Sequence, residues 1–211
     1  LHSTSRRQRQ MCIRDRVMDM AEYARREINE IGGYYAYGKE LVNGTSVYDY
    51  DVTKLSVHTL GLGLAGIEVY DLLRDEYDIQ IEFGDVSNIL AYISIGDRLQ
   101  DIERLVGALA DIARIYKKDS TGMLSGEFIS PIVARSPQEA FYSAKESMPV
   151  EKTEGRISGE FVMCYPPGIP ILAPGEMITD EIIQYILYVK EKGCSMQGTE
   201  DKSVNKLKVL V

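Results

Sequence analysis

The chain has 211 residues, enough for one sizeable core or two small ones, with 45% hydrophobic residues and no run of eighteen apolar positions that could span a membrane. The formal charge is −8, and since the first sixteen residues carry five arginines against one aspartate, the remainder stands at −12. Such an acidic body argues against nucleic-acid binding, is compatible with a cationic substrate, and together with the missing span predicts a soluble, cytoplasmic protein.

Residues 1–16 have no apolar period. Met11-Cys12-Ile13-Arg14-Asp15-Arg16 resembles translated sequencing-adapter read-through, so the stretch reads as a non-native or disordered tail. A basic targeting arm is the alternative, against which stands the lack of an apolar segment. From Val17 the pattern changes: Val17, Ala21, Ala24, Ile28 and Ile31 share one helical face, and Gly32-Gly33 closes a helix over 17–33. The aromatic cluster Tyr34-Tyr35-Ala36-Tyr37-Gly38 reads as packing, and Asn43-Gly44 marks a turn.

Residues 34–118 then show a compact α+β pattern. Lys54 to Thr59 alternates as a strand, Gly66 to Tyr77 is helical, and Ile79–Phe83 and Ile89–Ile95 are strands. Asp97 is expected to cap a helix whose inner face holds Leu99, Ile102, Leu105, Val106, Leu109, Ile112 and Tyr116. Strand, helix, two adjacent strands and helix is the ferredoxin-like order. Inside it, Gly61-Leu62-Gly63-Leu64-Ala65-Gly66 satisfies G-x-G-x-x-G, follows a strand and opens a helix, with Glu82 about twenty residues on, the context of dinucleotide binding. Two points oppose an NAD-binding reading. The preceding strand is half polar, through Lys54, Ser56 and His58, where a central Rossmann strand is apolar on both faces. The strand bearing Glu82 also turns straight back into another strand. The glycines are expected to permit close packing, and His58 to be a polar face residue.

Lys117 to Gly126 reads as a linker, and residues 127–211 as a second domain. There Ser136 is an N-cap with Pro137 at the first helical position. A strand over Gly155–Met163 leads into Cys164-Tyr165-Pro166-Pro167-Gly168-Ile169-Pro170-Ile171-Leu172-Ala173-Pro174-Gly175-Glu176, which holds four of the seven prolines within nine residues. Proline fixes φ and removes a donor, so this segment is expected to be a stiff extended loop, neither helix nor central strand. Thr179 then caps a helix with Asp180 and Glu181 in its first turn and Ile182 opening its apolar face. Gly193 stops that helix, and Lys206 to Leu210 is a closing strand. The cysteines Cys12, Cys164 and Cys194 are odd in number and contain no Cys-x-x-Cys pair, so neither a disulfide frame nor a metal site is signalled.

Tyr165 to Pro170 followed by Pro174 to Glu176 resembles the Tyr-Pro-Pro-Gly-[Ile/Val]-Pro and Pro-Gly-Glu signature of the pyridoxal-phosphate-dependent ornithine/lysine/arginine decarboxylases. Glu154-Gly155-Arg156-Ile157 is similar to that family's Gly-Arg-Ile element, and Gln197-Gly198-Thr199-Glu200-Asp201 to its C-terminal tail. Cys164 stands where relatives commonly carry another proline. The resemblance runs from about residue 17 onward. It implies the small domain of a fold-type-I pyridoxal enzyme followed by the family's C-terminal domain, with 17–33 as the helix leading out of the cofactor domain. Enzymes of this family hold pyridoxal 5'-phosphate on a lysine in a Ser-x-His-Lys segment. Here the two histidines, His2 and His58, are not followed by lysine. The resemblance therefore implies a C-terminal fragment, inactive alone, of an enzyme that decarboxylates arginine, lysine or ornithine in polyamine biosynthesis as a homodimer or higher homo-oligomer. Glu154, Arg156, Tyr165 and Glu176 are the expected site-forming residues. A structural role is the alternative for each, Glu176 as a helix cap and Arg156 as partner of a carboxylate. A non-catalytic interaction module is the alternative for the whole chain.

Overall fold

A computed structural model describes residues 2–120, 129–165 and 167–211, without the side chains of residues 2–12. Pro166 and part of the expected linker therefore lie outside the described residues, as do the side chains of His2 and Cys12. The chain divides into two compact units, Leu1–Met123 and Leu124–Val211.

The first unit opens with helix α1, His2–Ile31. Its backbone is helical well before the expected start at Val17. The change at that position is instead one of packing: Ile13 is 43% exposed, while Val17, Ala21, Ala24 and Ile28 are all buried in the core of this unit. Strands β1 (Tyr35–Ala36) and β2 (Lys54–His58) are followed by helix α2 (Gly66–Asp75), strands β3 (Phe83–Gly84) and β4 (Asn88–Tyr92), and helix α3 (Leu99–Ile115). The sheet order is β1-β2-β4-β3 with antiparallel neighbours throughout. This is the ferredoxin-like arrangement with β1, from the N-terminal side, in the edge position that a last strand would take. Leu55, Val57, Ile89 and Ala91 alternate inward, and Leu73, Leu105, Leu109 and Ile112 from α2 and α3 complete the core.

Two local expectations fail here. The strand foreseen over Ile79–Phe83 shrinks to Phe83–Gly84, because the Ile79 N–H bonds back to the Leu73 carbonyl and finishes the helix exit instead of joining the ladder. Asp97 does not cap α3. The N-cap position is Arg98, whose N–H donates to Asp101 at 2.9 Å, while the Asp97 carboxylate accepts from the Ser94 N–H at 2.6 Å. Both acids satisfy backbone donors near a helix start, one residue out of the expected register.

The long connection between β1 and β2 is fastened by Arg25 of α1. Its Nε donates to the Tyr37 carbonyl at 2.6 Å and its Nη2 to the Val52 carbonyl at 3.1 Å, so one guanidinium holds both stems. Nη1 lies 3.1 Å from Glu22 but off the hydrogen-bonding direction, and the group sits 5.4 Å from the Tyr50 ring centre. A buried cation needs such partners. At the loop tip the Asn43 side chain accepts from the N–H groups of Thr45, Ser46 and Val47.

The second unit comprises α4 (Pro137–Tyr142), β5 (Lys145–Pro149), β6 (Val162–Tyr165), β7 (Ile169–Leu172), α5 (Asp180–Glu191), β8 (Ser195–Gln197) and β9 (Lys206–Leu210). Ser136 caps α4 as expected: its Oγ accepts from the Glu139 N–H at 3.3 Å and Glu139 accepts from the Ser136 N–H at 2.9 Å. Thr179 likewise accepts from the Ile182 N–H at 3.3 Å at the head of α5. Val162, Leu172, Ile178, Ile182, Ile186, Leu207 and Val209 form the core.

The proline segment is not a loop throughout. β6 and β7 form a hairpin within a three-stranded sheet ordered β7-β6-β8, and β7 contains Pro170. It is tolerated because β7 is an edge, where a missing N–H interrupts no second ladder, and the register slips between Val162 and Met163. The strand foreseen from Gly155 is confined to Val162–Tyr165. Residues 155–158 make only single bridges, Ile157 to Met177 and Ser158 to Val209.

Candidate functional site

Arg156 has the richest surroundings of the four expected site residues. Its Nη2 donates to Glu146 at 2.6 Å and to the Leu210 carbonyl at 2.8 Å, and Nη1 approaches the Met148 sulfur at 3.9 Å. The guanidinium thus joins the turn after Gly155 to the β5–β9 pair. Its stem lines a cleft of about 550 Å3 together with Arg135, Glu139, Tyr142, Ile157 and Leu210. Half of the Glu146 side chain meets solvent, so the ion pair positions more than it stabilises.

Glu176 is turned back on its own chain. Its Oε2 accepts from the Ala173 N–H at 2.9 Å, and its own N–H bonds to the Ala173 carbonyl at 3.2 Å, closing a turn around Pro174-Gly175. Gly175 has φ +95, and a Cβ there would collide with the Arg135 carbonyl. Its carbonyl accepts from both Ala134 and Arg135 at 2.9 Å. The carboxylate braces the turn that brings residues 134–135 against 175–176; its partner is this turn, not the helix after Thr179. Tyr165 ends β6 opposite Ser195 and is 51% exposed. Glu154 is exposed in the turn before Gly155. Among the described residues no hydrogen bond or ion pair joins any two of these four side chains. Arg156 and Glu176 are linked through the backbone, with the Ile178 N–H donating to the Arg156 carbonyl and the Ser158 N–H to the Glu176 carbonyl, both at 2.8 Å.

The glycine-rich turn has no room for a pyrophosphate. The N–H of Ile67 donates to the Asp85 carbonyl at 2.7 Å, that of Gly66 to the Val86 carbonyl at 3.4 Å, and that of Ala65 to the Glu68 carboxylate at 2.8 Å. The amides that would cradle a phosphate are spent on the β3–β4 connection and on the Glu68 carboxylate. A Cβ on Gly66 would collide with the Asn88 carbonyl, and one on Gly61 would come 2.6 Å from the Gly33 carbonyl. These glycines pack backbone against backbone, as the half-polar β2 suggested. His58 lies on the outward face of that strand, its Nδ1 3.3 Å from Asn88, which also accepts from the Tyr37 hydroxyl at 3.1 Å. Burial, and then the Asp85 charge, raise the Tyr37 hydroxyl above its ordinary pKa.

Pyridoxal phosphate held as a Schiff base needs a lysine shielded from water, and every described lysine is exposed or only half-buried. The residues present do not form that cofactor's site. Among the described residues no group of three or more His, Cys, Asp or Glu could hold a metal. None of their helices is long and apolar enough to cross a membrane. Sequence reasoning missed Glu146, Arg135 and Tyr142 around Arg156. Glu146 is held there by the pairing of β5 with β9, more than fifty residues on, and Arg135 by its N–H bond to the Gly175 carbonyl, and no local period announces either.

Residues 125–202 match the family described as Orn/Lys/Arg decarboxylase, C-terminal domain. Arginine decarboxylase of Bacillus subtilis is 37% identical over 201 residues, covering 94% of this chain and 41% of the relative. That of Halalkalibacterium halodurans is 39% identical over 199 residues, covering 92% and 40%. The constitutive lysine decarboxylase of Escherichia coli is 30% identical over 111 residues, covering 49% and 15%. Its solved structure matches with a TM-score of 0.64 at 17% identity over 94% of this chain and 40% of that one, which speaks for the fold alone. The lysine decarboxylase of Francisella novicida likewise gives 0.64 at 19% identity over 96% and 40%. The chain belongs to the Orn/Lys/Arg decarboxylase family and spans about two fifths of the length of the curated arginine decarboxylases it matches.

Proposed function

We propose that this chain is the C-terminal part of an arginine decarboxylase, an enzyme that removes the α-carboxylate of a basic amino acid as CO2 in polyamine biosynthesis. The observation that carries the reading is the extent of the likeness. Arginine decarboxylases match at 37–39% over more than nine tenths of the chain, whereas the constitutive lysine enzyme of Escherichia coli matches at 30% over half of it. Pyridoxal phosphate is assigned to residues outside this chain, consistent with the lack of a buried lysine among the described ones. The four expected site residues do not converge in this chain, so the contribution proposed for it is to shape and wall a site completed elsewhere. The apolar side chains Ile132, Val133, Phe141 and Tyr142, all exposed, suit a partner surface in a homodimer of the whole enzyme, and the cytoplasm is its proposed location.

The test is an assay of CO2 release from arginine, lysine and ornithine by this chain alone and by the chain expressed in frame with its upstream coding sequence. The longer protein is expected to turn over arginine with the highest kcat/KM, and the chain alone none of the three. Turnover by the chain alone would refute the assignment of the cofactor. A longer protein that prefers lysine or ornithine would refute the assignment of substrate, and one inactive on all three would refute the enzyme.

A further inference from the structure

A cleft of about 820 Å3 opens in the second unit between the last turn of α5, β8 and the loop leading into β9. Lys190 and Lys202 line it with the polar side chains of Ser195, Thr199, Ser203 and Asn205. No aspartate or glutamate is among its described lining residues, although the chain as a whole is at −8.

The acids of the loop and of its flanking strand are committed elsewhere. Asp201 accepts from the Ser203 N–H through Oδ1, and from the N–H groups of Asn205 and Lys206 through Oδ2, all at 3.0 Å. These backbone donors, that of Ser203 foremost, hold its carboxyl below the usual carboxylate range. Glu160 spans the loop's two ends, accepting from the Glu200 and Lys208 N–H groups at 2.8 Å each, and Glu200 pairs with the Lys208 ammonium. The loop shape is imposed further by Val204, fully buried with φ +48, a conformation a β-branched residue adopts only when its surroundings over-determine it. Lys190 is fixed at the rim by a 2.7 Å hydrogen bond to Asn205 Oδ1, which uses one of its three ammonium donors. The carboxylates and the Thr199 hydroxyl, which donates to the Asp201 carbonyl at 2.9 Å, therefore build the loop, while Lys190, Lys202 and Ser203 line the opening. Cys194 and Met196 supply a less polar part of its lining.

We infer that this cleft binds the oxyanion group of a small metabolite, a phosphate monoester or a carboxylate, held between Lys190 and Lys202 with a hydroxyl donor from Ser203. The inference does not depend on the decarboxylase reading, since it concerns residues 190–205 alone.

The experiment is an NMR titration of the 211-residue chain at constant ionic strength, with inorganic phosphate in one arm, citrate in another and chloride as reference. Saturable shifts confined to residues 190–205 are expected with at least one of the two oxyanions. Lys202→Ala, on an exposed side chain, should weaken that binding about tenfold, the loss of one charge-assisted hydrogen bond. Lys190→Met should weaken it similarly, with unchanged amide shifts elsewhere reporting an intact fold. Saturation by phosphate alone or by citrate alone supports the site and names the source of the oxyanion. Saturation by neither, or binding that Lys202→Ala leaves unchanged, overturns it.

Discussion

The glycine-rich turn of the first unit and the proline hairpin of the second unit are similar as sequence signals and differ in what they secure. Gly61 to Gly66 matches a nucleotide-binding spacing, yet the amides of Leu62, Gly63, Ala65 and Gly66 are bonded to Thr59, Leu60, Glu68 and the β3–β4 connection, and its missing side chains admit neighbouring carbonyls. The segment from Tyr165 to Glu176 matches a decarboxylase signature and forms an edge hairpin followed by a turn braced by Glu176. Both motifs shape the backbone around them. The difference is that the first spacing arises wherever a strand and a helix must touch, whereas the order of prolines, glycines and glutamate in the proline hairpin suits one particular hairpin and turn. That specificity is why the proline motif carries the family resemblance and the glycine spacing alone does not identify a nucleotide site.

Gly66→Ala is the sharpest way to break the comparison. The added methyl would meet the Asn88 carbonyl, which is held by the Asp85 N–H at 2.8 Å in the β3–β4 turn, so the first unit is expected to lose about 3 kcal/mol or more in chemical denaturation. A loss under about 1 kcal/mol would mean that the turn is looser than its contacts imply. Gly175→Ala adds a methyl against the Arg135 carbonyl at φ +95, and about 2–3 kcal/mol should be lost from the second unit alone. Equal losses in both units would show that they unfold together. The smallest effect belongs to Glu176→Gln, which keeps an acceptor for the Ala173 N–H but removes its charge, and should cost about 0.5–1 kcal/mol. If stability is unchanged while turnover of the longer enzyme collapses, the carboxylate acts on substrate and the bracing role is wrong.

Where chain chemistry is local, the sequence was readable. Ser136 with Pro137 and Glu139, Thr179 before α5, and the alternation through β2 all appear where their residue types demand. Long-range pairing was not readable. β1 is two residues long and joins the sheet only because β2 offers it an edge, and β5 finds β9 some sixty residues away. Pro170 misled for a related reason: whether proline excludes a strand depends on whether that strand lies at an edge, and residues 162–172 do not reveal which neighbour is absent. Among the site residues, the alternative given for Arg156, a carboxylate partner, corresponds to its 2.6 Å contact with Glu146. The partner, Glu146, could be named only once β5 had its place.

The grip of Arg25 on Tyr37 and Val52 makes a ring of the chain between them, closed by a side chain instead of a covalent bond. A ring with fixed ends is indifferent to what happens at its far side. Doubling the length of the segment around Thr45-Ser46 would add only about 0.6 kcal/mol of closure entropy. The same insertion beside either stem would pull a carbonyl off a buried guanidinium and leave a cation without its partners. One side chain thus separates a stretch free to vary in length and composition from the sheet to which it is attached.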